Sequence, residues 1–333
     1  MPISDIGNLL SQQYALGILN DKVNDMSRES SSGKKSTTVA GLGPNGAASA
    51  ITYRNEDSAL TAYTANLNTA KARLSTTDTA LTSITSTART FVATLQAQLQ
   101  DTTPSATILS GSATTQLEDI IDKLNTNVGG TYVFSGQNFD STAYNGTAAL
   151  MSNIGSVVTA AMADPTSTTA SISAAAQAVS GTGLGVSSAA VNGGTVNIKA
   201  DDNASISIGL TANNPGFADI MRGMAIVANL PQPTTPAEQT TYWSAINSAI
   251  SLINGGATTV DNAQAALGDQ AANVDSLITQ HSDTSDNLQT YYGSVEDVDM
   301  ADAATKFSAL QTQLQTSYSL ISSMKDITLV NYL

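Results

Sequence analysis

The residues able to do acid–base or metal chemistry are few, and their spacing does not favour it. His281 is the single histidine and there is no cysteine among the 333 residues. Disulfides, thiolate metal sites and cysteine nucleophiles are therefore excluded. His281 falls beside Leu277 and Ile278 on a helical stripe, and no specific Ser-His-Asp set can be built around it. Glu296, Asp297, Asp299 and Asp302 cluster. Paired carboxylates can share a proton or bind calcium, but Asp297-x-Asp299 lacks the glycine and the later glutamate of an EF-hand loop. The same residues suit the start of a helix, where the macrodipole favours negative charge. Gly41-x-Gly43-x-x-Gly46 has the spacing of a dinucleotide loop, yet it follows no strand and reads as linker. Phe217, Met221, Met224 and Trp243 could line a ligand pocket, but core packing at helical spacing is the more frequent cause. No catalytic residue, metal or cofactor is expected.

The elements around these residues have an unusual composition. Hydrophobic residues make up 41% of the chain but charged residues only 12%, about half the usual share. Ala, Ser, Thr, Asn and Gln fill the gap, giving small neutral surfaces suited to close helix packing. The net charge is -14. An acidic chain repels phosphate backbones, so nucleic-acid binding is not expected. Of the 13 basic residues nine lie between Lys22 and Lys123, and from Asp140 to Asp302 only Lys199 and Arg222 are basic. The acidic middle therefore reads as a water-facing surface. No apolar run of about 18 residues is present, so no membrane span is expected. The start Met1-Pro-Ile-Ser lacks the basic and apolar regions of a cleaved signal peptide.

Heptad columns dominate both ends. Leu9, Leu16 and Val23 recur every seven residues, with Leu19 and Met26 in the partner column and Gln12 as its polar member. This is an a/d seam. After a Gly/Ser/Pro linker between residues 30 and 46, a long helix is expected from about Ala47 to Gln100, ended by Asp101-Thr-Thr-Pro104. Its columns are Leu60, Leu67, Leu74, Leu81, Ala88 and Leu95, and Tyr63, Ala70, Thr77, Ile84, Phe91 and Gln98. At about 1.5 Å per residue it would be a rod of roughly 80 Å. A shorter helix fits Gln116 to Asn127, stopped by Gly129-Gly130, and Thr131 to Ser135 reads as a strand. The Ala/Ser/Thr run from Pro165 to Ser180 fits either helix or mobile surface. Thr195–Lys199 and Ser205–Gly209 alternate and are expected to form a hairpin. Helix resumes at Phe217, and another carries Trp243, Ile246, Ile250 and Ile253, closed by Asn254-Gly-Gly256. A second rod is expected from Thr259 to Tyr292. Caps between Ser294 and Asp299 start a last helix with Phe307, Leu310, Leu314, Ile321 and Met324 in its columns.

The expected fold is mainly α with a smaller α+β part. Both chain ends form a long antiparallel helical hairpin with coiled-coil rods, and an outer domain is inserted between them. Residues 1–45 with 300–333 make a terminal core domain, 46–139 with 213–299 a rod domain, and 140–212 an exposed outer domain with the hairpin. A single pair of terminal helices buries one side of each, so the leftover apolar edges need neighbours. Leu9, Leu16, Leu19, Val23, Met26, Phe307, Leu310, Leu314, Ile321 and Met324 are the expected self-assembly or chaperone-binding residues.

Several segments resemble the bacterial flagellin and hook-associated protein family. They are the Met1-Pro-Ile-Ser start, Met26-Ser-Arg-Glu-Ser-Ser-Ser-Gly-Lys-Lys35, Asp297-Val-Asp-Met-Ala-Asp302 and Leu310-Gln-Thr-Gln-Leu-Gln-Thr-Ser-Tyr318. Gly130-Thr-Tyr-Val-Phe-Ser-Gly136 and the Asn331-Tyr-Leu333 ending are similar to the hook-associated branch that joins hook to filament. Val39-Ala-Gly-Leu-Gly-Pro-Asn-Gly46 stands where the family often has an Asn-Pro-Ser-Asp-Asp-type segment. The resemblance covers residues 1–136 and 215–333. It implies a structural subunit in contact with copies of itself and with neighbouring hook, junction or filament subunits. It further implies terminal helices disordered before assembly, export by the flagellar type III apparatus to the extracellular flagellum without a cleaved signal, and a chaperone on the last helix. Neither enzyme activity nor membrane or nucleic-acid binding is implied. Filament flagellin is the alternative role, and a secreted fibre or adhesin the remoter one.

Overall fold

Heptad spacing becomes helix along most of the chain. The computed structural model describes residues 3–100 and 105–330, with side-chain environments at 7, 10–100 and 105–323. Three long helices carry the ends: α1 (Ile3–Ser32), α2 (Gly43–Gln98) and α9 (Met300–Val330). A fourth, α8 (Pro236–Glu296), runs for 61 residues. Between α2 and α8 lie α3 (Ala106–Leu124), the two-residue strands β1 (Asn127–Val128) and β2 (Thr131–Tyr132), α4 (Ala148–Ala163), α5 (Thr169–Gln177), α6 (Ser188–Asn192), the hairpin β3 (Val196–Lys199) and β4 (Ser205–Ile208), and α7 (Pro215–Asn229). The fold is mainly α with a small β part. The chain divides into a terminal unit, Met1–Ala62 with His281–Leu333, and a central unit, Tyr63–Gln280.

In the central unit α2 and α8 run antiparallel, as their polar cross-links show. Lys71 meets Asp275 at 2.7 Å, Gln264 Nε2 donates to Asp78 Oδ1 at 2.7 Å, and Arg89 pairs with Asp261. The core centres on α7, whose residues Gly216 to Val227 are all buried, with only Asp219 partly so. Helices α3, α4 and α5 pack on it. A helix covered all round belongs inside a core, and Phe217 meets Phe134 edge-on at 5.6 Å. β3 and β4 pair antiparallel, Val196 opposite Ile208 and Lys199 opposite Ser205.

Four local expectations are corrected. Asn254-Gly255-Gly256 does not close a helix, because α8 runs straight through it. Gly256 is there for close approach: a Cβ on it would lie 2.6 Å from the Gly216 carbonyl oxygen and 2.8 Å from the Ile220 nitrogen on α7. Gly129 and Gly130 do not stop α3, which ends at Leu124. They take positive φ of 59° and 88° and turn the β1–β2 hairpin, in which Val128 pairs with Thr131. The strand expected over Thr131–Ser135 is thus only two residues long, and α3 starts ten residues earlier than its apolar stripe indicated. Thr168 and Ser171 form a reciprocal capping box that starts α5 in the ambiguous Ala/Ser/Thr run. Asp101–Pro104 lie outside the described residues.

In the terminal unit α1 packs along α9. Arg54 Nη2 of α2 meets Glu296 Oε2 of α8 at 2.5 Å, and the Ser285 hydroxyl donates to Asp57. The buried hydrophobic residues described in this unit are Ala50, Leu60, Leu288 and Ala303. None lies on α1, and Ala303 is a single small side chain on α9.

Candidate assembly interface

The seam residues turn toward the helix opposite, but the pair is too thin to bury them. Leu16, Leu19, Val23 and Met26 on α1, and Phe307, Leu310, Leu314 and Ile321 on α9, are all only half-buried. Leu9 and Met324 lie outside the residues whose side chains are described. Leu16, Leu19 and Ile321 line an open cleft of about 330 Å³ between the two helices, together with Lys22 and Gln313. Further large apolar side chains stay exposed: Leu10 is 61% exposed, Tyr14 74%, Ile18 43%, Tyr318 53% and Leu320 56%, Ile18 and Leu320 on the wall of the same cleft. Full burial of a large apolar side chain is worth about 1.5–3 kcal/mol, and each of these forgoes part of it. A two-helix pair built this way is marginal in water, since helices draw most of their stability from tertiary packing. Leu10, Tyr14 and Ile18 were not singled out in the sequence, whereas Leu320 widens the apolar stripe of the last helix. Leu10, Tyr14 and Ile18 do repeat every four residues, a helical spacing beside the seam.

The acidic cluster is structural. Asp299 caps α9, its Oδ1 accepting from the backbone N–H of Ala301 at 2.9 Å and of Asp302 at 3.3 Å. Ser294, expected as a cap, lies inside α8. Asp297 takes a hydrogen bond from Lys34 Nζ and holds that ammonium above the usual lysine range. Glu296 is 5% exposed and is paired with Arg54. Lys35 donates its backbone N–H to the Glu296 carbonyl at 2.7 Å, and Val298 donates to Gly33 at 3.0 Å. Lys35 Nζ reaches the Ser294 and Val295 carbonyls at 2.8 and 2.9 Å, capping the last turn of α8. No signal for these pairings exists in the sequence, because Lys34 and Asp297 are 263 residues apart.

Other candidate residues resolve into packing. His281 is buried on α8 and has an interaction partner, and no group of three or more His, Cys, Asp or Glu suited to a metal occurs among the described residues. Phe217, Met221 and Met224 are buried in the core, with Trp243 packed against it. Gly41, Gly43 and Gly46 lie on a 3-10 turn (Val39–Leu42) and the start of α2. No helix among the described residues is long and apolar enough to cross a membrane.

The Gly130–Gly136 segment enters the central unit as a wedge, exposed at Gly130 and buried from Val133 to Gly136. Val133, Phe134 and Ser135 are buried. Ala212 donates its N–H to the Phe134 carbonyl at 2.8 Å and Val133 donates to Thr126 at 3.0 Å. Arg73 of α2 donates through Nη2 to the carbonyls of Val133 at 2.7 Å and Tyr132 at 3.2 Å, with its guanidinium carbon 5.3 Å from the Phe139 ring centroid. Burial lowers the Arg73 pKa below the usual arginine value.

Comparison with known proteins agrees with this architecture. The family model described as the bacterial flagellin N-terminal helical region matches residues 3–139, and that of the bacterial flagellin C-terminal helical region matches residues 250–333. A solved structure of a candidate flagellar hook-associated protein from Vibrio parahaemolyticus is similar in fold, with a TM-score of 0.54 and 16% identity. That likeness covers 75% of this chain and 97% of the other. No curated protein sequence matches. With both ends matched, and with those ends folded into the long helices just described, the chain belongs to the bacterial flagellin family of structural flagellar proteins.

Proposed function

We propose that this chain is a junction subunit, incorporated in few copies between hook and filament and locked in place by α1 and α9. Members of the flagellin family polymerise and are exported to the extracellular flagellum. One observation carries the assembly reading: two helices of 30 and 31 residues bury one alanine between them among the described side chains. Such a surface is completed by copies of the chain and by neighbouring flagellar subunits. Residues 1–45 with 300–333 form the polymer core in this reading, 46–139 with 213–299 the rod, and 140–212 the outer face. The nominated seam residues, Leu9 to Met26 and Phe307 to Met324, are the assembly contacts. Before export they are the surface a chaperone covers, and the chain leaves the cell through the type III apparatus.

The junction role rests on the Gly130–Gly136 wedge and on the Asn331-Tyr-Leu333 ending. The likeness to a candidate hook-associated protein supports the fold that both roles share. Immunogold labelling of intact flagella tests the role. Gold confined to the filament base is expected. Gold along the whole filament would make the chain a filament flagellin, the reading that the two flagellin models favour equally. No enzymatic activity, cofactor, nucleic acid or membrane enters this reading.

A further inference from the structure

A heptad seam does not by itself choose its register. Leu9, Leu16 and Val23 repeat every seven residues, and α9 offers Phe307, Leu314 and Ile321 at the same interval. A slip of one heptad therefore sets similar side chains against each other. Ordinarily a packed core forbids the slip, but the described side chains of α1 and α9 bury nothing larger than Ala303. Fixed hydrogen bonds are found instead at one end of the pair. The linker after α1 forms an antiparallel bridge with the linker before α9, Lys34 opposite Asp297. Around it lie the Val298 to Gly33 and Lys35 to Glu296 backbone bonds, the Lys34–Asp297 and Arg54–Glu296 pairs, and the Lys35 ammonium on the end of α8.

We propose that this linker clasp is a registering device: it sets which residues of α1 meet which of α9, and pairing proceeds outward from it. An exposed ion pair alone is weak. The clasp gains its directionality from coupling the pair to backbone bonds and to the buried carboxylate of Glu296, so that a slipped pair would forfeit several bonds at once. The inference deepens the assembly reading and rests on it for its biological meaning, but its test needs no polymer.

Because the native chain has no cysteine, introduced pairs can be cross-linked cleanly in the unassembled full-length protein, where the reagent traps the α1–α9 pair whenever it forms transiently. Lys22 and Gln313 line the same cleft and serve as the in-register pair, Lys22→Cys with Gln313→Cys. Lys22→Cys with Lys306→Cys is the pair displaced by one heptad, since Lys306 lies near Glu29, seven residues further along α1. A short bifunctional thiol reagent is expected to link the first strongly over the second. Lys34→Asp is expected to erase that preference, and the exchanged variant Lys34→Asp/Asp297→Lys to restore it, with the helical circular dichroism of the central unit unchanged. No preference in the parent chain, or a preference that survives Lys34→Asp, would overturn the proposal. Failure to polymerise with normal cross-linking would count against the assembly reading and leave the clasp standing.

Discussion

Helices α7 and α1 use apolar residues in opposite ways. From Gly216 to Val227, α7 is covered by α3, α4 and α5 and approached closely by α8, and its Phe217, Ile220, Met221 and Met224 are fully buried. α1 is twice as long, and none of its described side chains is buried. Both sequences are amphipathic enough to predict helix. What separates them is the number of neighbours within the chain. α7 is completed by its own molecule, whereas the helix packed along α1 among the described contacts is α9. Stability is thus concentrated in the central unit, and the unsatisfied apolar surface in the terminal one.

Substitutions can break this contrast from either side. The largest effect on subunit stability is expected from Phe217→Ala, which removes a buried ring packed on Phe134. It should cost about 3–5 kcal/mol in urea unfolding of the central unit. Gly256→Val comes next, at about 1–3 kcal/mol or more, because its side chain would strike the backbone of α7. Gly255 is its control: a Cβ there meets nothing within 4 Å, so Gly255→Ala should stabilise α8 by about 0.5–1 kcal/mol. If both glycines behaved alike, the close α7–α8 approach would be misplaced. Leu314→Asp should move central-unit stability by less than about 0.5 kcal/mol. It should nevertheless abolish polymerisation measured by sedimentation, since a charge on a seam that must be buried costs several kcal/mol unless paired.

The periodic parts of the molecule were legible in the sequence. Leu67, Leu74, Leu81, Ala88 and Leu95 form a heptad column in α2, and all five are buried. Glycine was the ambiguous letter. At Gly256 it serves close packing and at Gly129-Gly130 a hairpin turn, and both positions resemble helix stops until the partner segment is seen. Elements held by distant partners were illegible for the same reason. Nothing local to Lys34 points to Asp297, nor anything near Arg73 to the carbonyls of Tyr132 and Val133. The seam of α1 and α9 was readable because its repeat is local, whereas how incompletely the pair covers it became visible only once the chain was folded.

Amide hydrogen exchange read by mass spectrometry, on the free subunit and again after polymerisation, tests this division most directly. In the free subunit, peptides from α7 and from α2 between Leu67 and Leu95 should exchange slowly. Those from α1 between Leu10 and Met26, and from α9 between Phe307 and Ile321, should exchange orders of magnitude faster and become protected only in the polymer. Terminal helices already as protected in the free subunit as α7, with no further gain on polymerisation, would contradict the account.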